Sequence, residues 1–305
     1  MNRLSRRTTF AFLPLAALAA CSAPGLLTGI NAVIPGDGNA RLAARGVAFG
    51  PADRQRLDVW TPGRPVVGAG LPVVVFFYGG GWVSGSRQGY GFAGSAFAGK
   101  GFVAIIPDYR LVPGVRFPTF VEDGALAVKW ARDHAAEFGG DPNRITLAGH
   151  SAGGYNAAML ALDPHFLRDV GVNPGIVRAA ALLSAPLDFY PFTEMRGRDA
   201  LGAWPRPAET QPISFARADA PPLFLAAGSA DTIVMPRNSK ALAARLKTLG
   251  APVELRLYAG KGHIDLAKAL SKPFRGSLPV LAESAAFLHA NSAARSEPRP
   301  RAAQD

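Results

Sequence analysis

A serine flanked by glycines, in Gly149-His150-Ser151-Ala152-Gly153, is the first feature of this sequence with an evident chemical use. A short apolar run comes before it and an alanine-rich stretch follows, so the motif is expected at a sharp turn between a strand and a helix. Such a turn exposes the hydroxyl of Ser151, and the helix directs its first amide groups to the same point. The spacing predicts a nucleophile that attacks an acyl carbonyl, with the N–H of Ala152 donating to the oxyanion.

A serine nucleophile needs a base to take its proton, and the chain contains five histidines. His263 stands in a glycine-flanked loop after a predicted strand over 253–257, which brings it to the same sheet edge as Ser151. His150 is next to the serine in sequence, where the turn is expected to aim it away. Three others fall in helical or turn patterns: His134, His165 and His289. The sequence therefore predicts His263 as the base.

A catalytic triad also needs an acid, and it should lie between Ser151 and His263, because the fold expected for this strand–serine–helix motif uses the chain order serine, acid, histidine. Asp231 follows a predicted strand over 223–227, and its carboxylate would orient the imidazole and stabilise its protonated form. Asp188 follows another candidate strand, over 177–183, and stands as the rival acid.

A glycine-rich turn, Gly79-Gly80-Gly81, follows the predicted strand 73–78. Glycines at the carboxyl end of a strand leave backbone N–H groups unobstructed, so Gly80 and Gly81 are expected to complete the oxyanion hole with Ala152. Trp82 comes next and is expected to line the substrate pocket. This chemistry needs no metal or other cofactor, and the sequence has no Cys/His cluster with ligand spacing. The expected partner is a small-molecule ester.

The elements that must position these residues follow an alternating pattern of apolar strands and amphipathic helices. An opening hairpin is expected over 46–49 and 55–60, and the alternation then predicts a doubly wound, mostly parallel α/β sheet with helices on both faces over residues 46–290. The segment of about 187–220 breaks the rhythm with aromatic, proline and charged residues. We expect it to form a small cap that shapes the pocket.

The amino-terminal residues resemble an export signal. Residues 1–20 have a basic start and an apolar middle, and they end at Cys21, the only cysteine in the chain. This pattern resembles a bacterial lipoprotein signal, so we expect an exported protein of the cell envelope, anchored to a membrane by lipid on Cys21. Residues 21–45 are expected to be a tether, and residues 291–305 a disordered tail.

The charge balance argues against one class of partner. The formal net charge is +11, and removal of residues 1–20 takes away three arginines and no acids, which leaves +8. The basic residues are scattered among acidic ones, with no block of like charge and no interleaved aromatic stripe. We interpret the charge as a solvated surface and exclude nucleic acid as a partner.

Several further runs, together with the serine motif, resemble the α/β-hydrolase carboxylesterases, closest to the hormone-sensitive-lipase-like group and its bacterial esterase and kynurenine-formamidase-like relatives. The runs are Tyr78 to Trp82, Pro107 to Pro113, Phe117-Pro118, Glu122-Asp123 with Trp130, and Gly149 to Gly154. The resemblance covers about residues 55–289. It implies an α/β-hydrolase fold and the triad Ser151, Asp231 and His263.

One departure from the family pattern is Tyr78, which stands where the family usually has histidine. A phenol can still support the loop by hydrogen bonding, so we expect activity to survive. Asp108, Arg110, Glu122 and Asp123 are expected to form structural ion pairs beneath that loop.

The predicted function is hydrolysis of carboxylic esters through an acyl-enzyme. Two alternatives stay open. One is an arylformamidase or other amide hydrolase that uses the same triad, and the other is a non-catalytic binding lipoprotein on this scaffold.

Overall fold

Continuous apolar runs form the central strands of the structure, a computed structural model that describes residues 36–64 and 70–293. The strands are β1 (Ala40–Ala48), β2 (Arg56–Pro62), β3 (Leu71–Phe77), β4 (Val103–Pro107), β5 (Gly140–His150), β6 (Val177–Leu183), β7 (Leu223–Gly228) and β8 (Val253–Tyr258). They form one sheet in the order β1-β2-β4-β3-β5-β6-β7-β8. Strands β3 to β8 are parallel, while β2 is antiparallel to both of its neighbours.

Helices cover both faces of this sheet. They are α1 (Gly91–Ala98), α2 (Thr119–His134), α3 (Ala152–Leu162), α4 (His165–Asp169), α5 (Met195–Leu201), α6 (Arg237–Thr248), α7 (His263–Lys268) and α8 (Val280–Asn291). Successive side chains of a strand point to opposite faces, and Phe76 of β3 contacts Phe97 of α1 while Phe77 lies against Gly124 of α2. The predicted doubly wound α/β sheet is confirmed.

The parallel arrangement brings four loops to one sheet edge. The segments after β3, β5, β7 and β8 all leave the sheet at the carboxyl ends of their strands, where open α/β sheets bind ligands. These are the segments that carry the predicted oxyanion glycines, nucleophile, acid and base.

The expected cap segment leaves the sheet after β6 and contains α5 and two short 3-10 helices, Pro207–Thr210 and Pro212–Phe215. Hydrogen bonds attach it to the body. The hydroxyl of Tyr155 in α3 donates to the carbonyl of Thr210 at 2.8 Å, and the N–H of Phe117 donates to the carbonyl of Ala200 at 2.9 Å. The cap is therefore bound to the helix that follows the nucleophile.

The predicted tether is too long at its carboxyl end, because β1 begins at Ala40 rather than after residue 45. Asp37 is already bound to the body by a two-pronged ion pair with Arg275, with both N–O distances 2.9 Å. Next to it, the side chain of Asn39 donates to the carbonyl of Gly99, just before β4. The sequence does not predict this start, because β1 is rich in arginine and alanine and is only half-buried along its length, which leaves no clear apolar pattern.

The other predicted segments lie at the two ends of the chain. The predicted signal, Cys21 and most of the predicted tether lie outside the described residues. The predicted tail begins too early, since Asn291 is the last residue of α8, and its remainder beyond residue 293 also lies outside them. Among the helices of residues 36–64 and 70–293, none is both long and apolar enough to cross a bilayer.

Candidate active site

Ser151 lies at the tight turn between β5 and α3. Its backbone has φ 56° and ψ −127°, in the left-handed half of the map, where side chains other than glycine are strained. The turn closes because the flanking residue Gly153 has no side chain. A Cβ atom there would lie 2.1 Å from the carbonyl oxygen of Phe77 in β3. The Gly-x-Ser-x-Gly spacing thus lets α3 pass directly over the neighbouring strand.

The structure brings Ser151, His263 and Asp231 together from three different loops. The Oγ atom of Ser151 is 2.8 Å from Nε2 of His263, and Nδ1 of His263 is 2.9 Å from Oδ2 of Asp231. Because a carboxylate only accepts, Nδ1 donates to Asp231, and Nε2 of the neutral ring is left to accept the serine proton. Asp231 and His263 are buried, while Ser151 is partly exposed.

Asp231 is held as a carboxylate by its surroundings. Burial alone would raise its pKa, but the hydrogen bond and charge of His263 outweigh burial and lower it. Its second oxygen accepts the N–H groups of Ile233 at 3.0 Å and Val234 at 2.8 Å. An ionised, fixed Asp231 can stabilise an imidazolium at His263.

Gly80 and Gly81 form a turn with backbone angles that favour glycine, with φ of 140° and 62°. The following Trp82 also has positive φ and is almost fully buried. Its indole N–H donates to Asn156 in α3 at 3.2 Å, which attaches this turn to the helix after the nucleophile. The turn lies beside Ser151 and lines the same pocket, as the sequence predicts.

Tyr78, at the position of the family histidine, supports the base of this turn. Its buried hydroxyl accepts a hydrogen bond from Arg54 at 2.8 Å, and its ring stacks on Tyr109 with centroids 4.7 Å apart. The hydroxyl of Tyr109 in turn donates to the backbone carbonyl of Tyr78 at 2.8 Å. Arg54 also donates to the carbonyl of Gly85, so one guanidinium joins both ends of the loop. Sequence reasoning did not identify Arg54, which lies in a polar turn.

The predicted ion pairs beneath the loop form in part. Arg110 binds the fully buried Asp123, with the closest N–O distance 2.7 Å. Asp108 pairs with Arg87, a residue that sequence reasoning missed, and the same guanidinium reaches Asp58. Glu122 is exposed and forms no ion pair within 4 Å in the described part of the chain, so the expectation of an ion pair at that residue is wrong, although its charge acts on Arg110 from a greater distance.

His150 does not point away from the site as expected. It is buried, and its Nε2 is 3.0 Å from the backbone carbonyl oxygen of His263, so Nε2 carries the proton and donates. Its Nδ1 then accepts from the hydroxyl of Tyr90 at 3.2 Å. Burial, aided by the neighbouring His263, lowers the pKa of His150 to about 3 and keeps the ring neutral. A neutral histidine therefore holds the loop that carries His263, through the backbone carbonyl of that residue.

The remaining candidates lie elsewhere. Asp188 is at the start of the cap, where its backbone N–H donates to Asn238, and the carboxylate that meets His263 is that of Asp231. The other histidines have partners away from Ser151: His134 binds Glu137, His165 binds Asp163, and His289 binds the carbonyl of Lys100.

A pocket of about 560 Å³ opens above Ser151. Trp82 forms part of its wall, as predicted, and the cap contributes the aromatic rings of Phe189 and Phe192. The loop after β7 supplies Ile233 and Met235 on another side. Within residues 36–64 and 70–293 no group of three or more His, Cys, Asp or Glu side chains could hold a metal ion.

Comparison with protein families gives a match to the model described as BD-FAE over residues 57–246, which is more than half of the chain and contains Ser151 and Asp231. Two curated relatives are similar over most of the chain. Esterase LipQ of Mycobacterium tuberculosis is 31% identical over 67% of this chain and 53% of its own length. Isoprenylcysteine alpha-carbonyl methylesterase ICME of Arabidopsis thaliana is 30% identical over 76% of this chain and 58% of its own length. The chain thus spans little more than half the length of these relatives.

Solved structures resemble the chain over more of their length. Esterase 2 of Thermogutta terrifontis, phosphoramylated by tabun, has a TM-score of 0.68 and 28% identity, over 84% of this chain and 96% of that one. Esterase B of Lactobacillus rhamnosis has a TM-score of 0.76, over 91% of this chain and 92% of that one. Its sequence identity is 19%, so it supports the fold alone. The predicted α/β-hydrolase fold is confirmed.

Proposed function

Because the chain belongs to the BD-FAE family, within the α/β-hydrolase esterases, we propose that it hydrolyses carboxylic esters with Ser151 as nucleophile. The proposal is carried by one observation, the unbroken hydrogen-bond series from Ser151 through His263 to Asp231 at 2.8 and 2.9 Å. This series lies at the floor of a pocket large enough for a small ester. Relatives named as esterases support the reaction class.

The mechanism follows from the positions of the donors and acceptors. Nε2 of His263 takes the proton of Ser151 as Oγ attacks the ester carbonyl, and Asp231 stabilises the imidazolium that forms. The imidazolium then returns the proton to the departing alcohol, which leaves an acyl-enzyme. A water molecule, deprotonated by the same histidine, attacks the acyl group and releases the acid.

The negative charge on the carbonyl oxygen needs donors on the side opposite His263. We assign this role to the backbone N–H groups of Gly80, Gly81 and Ala152. The positive φ angles of the glycine turn and the start of α3 next to Ser151 support the assignment. Preorganised amides of this kind contribute several kcal/mol to acyl transfer, about 3–4 for a single donor.

Replacement of Ser151 by alanine tests the assignment directly. Ser151→Ala should abolish hydrolysis of 4-nitrophenyl butyrate and labelling by a fluorophosphonate, because both need Oγ, while the thermal midpoint stays near that of the wild type. An organophosphorus probe suits this test because the similar Thermogutta esterase is phosphoramylated by tabun. Unchanged turnover in Ser151→Ala would refute the proposal, and an unlabelled wild type would favour the non-catalytic alternative.

The amide-hydrolase alternative uses the same residues and differs in the bond that is cleaved. Rates on a matched ester and anilide with the same acyl group separate the two. The names of the relatives favour the ester, and a higher rate on the anilide or on an aryl formamide would reverse that preference.

The location of the protein is a separate proposal that rests on residues 1–21 alone. We propose export and lipid attachment at Cys21, since this lone cysteine follows an apolar stretch with a basic start. Cys21→Ala should move the protein from the membrane fraction to the soluble fraction of a bacterial host. An unchanged distribution of the variant would contradict the anchor.

A further inference from the structure

The pocket above Ser151 carries charged side chains that the proposed reaction does not use. Arg196 and Glu194 come from the cap, and Arg237 comes from the start of α6, beyond the loop that holds Asp231. The rest of the side-chain lining is largely aromatic and aliphatic. A pocket for a wholly apolar ester has no need of two guanidinium groups.

Arg196 reaches from the cap onto the glycine turn of the site. A Cβ atom at Gly81 would lie 2.6 Å from Cδ of Arg196 and 3.3 Å from its Nη1. The absence of a side chain at Gly81 therefore leaves room for the arginine as well as permitting the turn. Its guanidinium therefore lies close to Gly81, one of the proposed oxyanion donors, and lines the same pocket as Ser151.

The guanidinium groups of Arg196 and Arg237 have no hydrogen-bond or ion-pair partner among residues 36–64 and 70–293. Neighbouring arginines of the cap differ in this respect. Arg198, on the same helix as Arg196, donates to the carbonyl of Thr193 at 2.8 Å, and Arg206 pairs with Glu209. Among the arginines of the cap, Arg196 is the one whose guanidinium has no partner, and it is also the one that lines the pocket.

The charge of the pocket indicates which ligand would satisfy these groups. Two guanidinium groups and the single carboxylate of Glu194 leave one net positive charge, which matches a monoanion better than a doubly charged phosphate. Guanidinium groups bind carboxylates through two parallel N–H···O bonds, and such charge-assisted bonds are worth more than neutral ones. We propose that the pocket binds esters that carry a carboxylate close to the scissile bond, with Arg196 as the main contact and Arg237 as the second.

This inference rests on the proposed ester hydrolysis and narrows it to anionic esters. Arg196 acts on specificity, because its charge favours binding and positioning of one class of substrate. The chemical step, with proton transfer from Ser151 to His263, is the same for charged and neutral esters. The prediction therefore concerns the ratio of kcat/KM between matched substrates.

The test compares pairs of esters that differ in one carboxylate. Monomethyl succinate and methyl butyrate place it on the acyl side, while the butyrate esters of glycolic acid and ethanol place it on the alcohol side, and in both pairs a methyl group replaces the carboxylate. For at least one pair the wild type should favour the charged ester. Arg196→Gln should reduce that preference about 10- to 100-fold, the range of a charge-assisted hydrogen bond, and Arg196→Lys should fall between the two.

Two matched variants control for general loss of positive charge. Arg198→Gln removes an arginine from the same helix outside the pocket, and Lys240→Gln removes a lysine from α6 next to Arg237. Both should keep the wild-type preference, whereas Arg237→Gln should lower it less than Arg196→Gln. A wild type with no preference in either pair, or a preference that survives in Arg196→Gln, would overturn the inference.

The two proposals fail in different ways. If the wild type cleaves neutral esters and the ratio does not depend on Arg196, ester hydrolysis stands and the carboxylate site is wrong. If no ester is cleaved, the reaction is wrong, and the site is then tested by calorimetric titration of Ser151→Ala with monomethyl succinate. Binding lost in Ser151→Ala/Arg196→Gln would still support the site, and equal affinity of the two variants would eliminate it.

Discussion

Each residue of the triad is held, at its backbone or its side chain, by hydrogen bonds to groups outside the triad. The N–H of Ser151 donates to the carbonyl of Leu183 at 2.9 Å, which secures the strained turn to β6. Asp231 accepts two backbone N–H groups of its own loop, and the carbonyl of His263 is held by His150. A site fixed in this way needs little rearrangement to reach the geometry for attack.

Two aspartates, Asp231 and Asp188, were candidates for the acid of the triad, and their asparagine variants distinguish them. Asp231→Asn should lower kcat about 10³- to 10⁴-fold on 4-nitrophenyl butyrate, because the amide no longer favours the tautomer and charge that His263 needs. Asp188→Asn should leave kcat near the wild-type value, since Asp188 does not contact His263. The opposite order would transfer the role to Asp188.

For single residues, the sequence predicts that Ser151, Asp231 and His263 come together. The glycine spacing and the order of strands and loops place all three at the carboxyl edge of the sheet. His150 and Tyr90 could not be found in the same way. Their role depends on burial and on a long-range hydrogen bond to a backbone carbonyl, and neither leaves a local pattern. Arg196 was also missed, because one arginine among many in a polar cap has no distinguishing spacing.

At the scale of elements, the site depends on close crossings of the backbone where loops leave the sheet. Gly153 brings α3 against β3, and Gly228 at the end of β7 faces the carbonyl oxygen of Lys261, at 2.0 Å from an ideal Cβ. The second crossing joins the acid loop to the histidine loop. These contacts set the distances between elements that carry different members of the triad.

The crossing at Gly153 gives a prediction for stability. Gly153→Ala should lower the free energy of unfolding by about 1–3 kcal/mol, because its methyl group collides with backbone that cannot move aside without shifting β3. Gly276→Ala is the matched control, as a Cβ atom there meets nothing within 4 Å. Urea denaturation of both variants measures the difference, and equal stabilities would contradict the role of the crossing.

The elements with strong apolar patterns were predictable, and those without them were not. Strands β3, β4 and β7 and the second half of β5 read as buried apolar runs, so their place in a parallel sheet follows from the sequence. β1 has a weak pattern because it is an edge strand paired on one side only, and its start was missed. The internal structure of the cap could not be derived, since its short helices are fixed by contacts with the body.

For the molecule as a whole, the buried neutral His150 makes the folded state sensitive to acid. Its pKa is about 3 in the folded protein, whereas an exposed histidine has a value of about 6.5. Between these values the unfolded chain binds one more proton than the folded chain. The contribution of His150 is therefore complete above about pH 6.5 and is lost progressively as the pH falls toward 3. The titratable groups that face it are Asp231 and His263.

We accordingly expect the free energy of unfolding to fall by about 2 kcal/mol between pH 7 and pH 5 through this residue, at up to about 1.4 kcal/mol per pH unit. In His150→Gln, which has no titrating ring, the decrease over the same interval should be smaller by that amount. Urea unfolding at pH 7, 6 and 5 measures both slopes. Parallel pH profiles of the two proteins would show that His150 does not carry the effect.

The attachment of residues 37–39 beside Gly99 has a practical consequence. Gly99 precedes β4, so these residues sit at the amino ends of the parallel strands, whereas Ser151 and the pocket lie beyond the carboxyl ends. A bead, a chip or a fusion partner coupled through the stretch ahead of residue 36 would be attached on the side of the molecule opposite the pocket. The mouth of the pocket would then face open solution, and an immobilised preparation should turn over bulky esters as readily as the free protein.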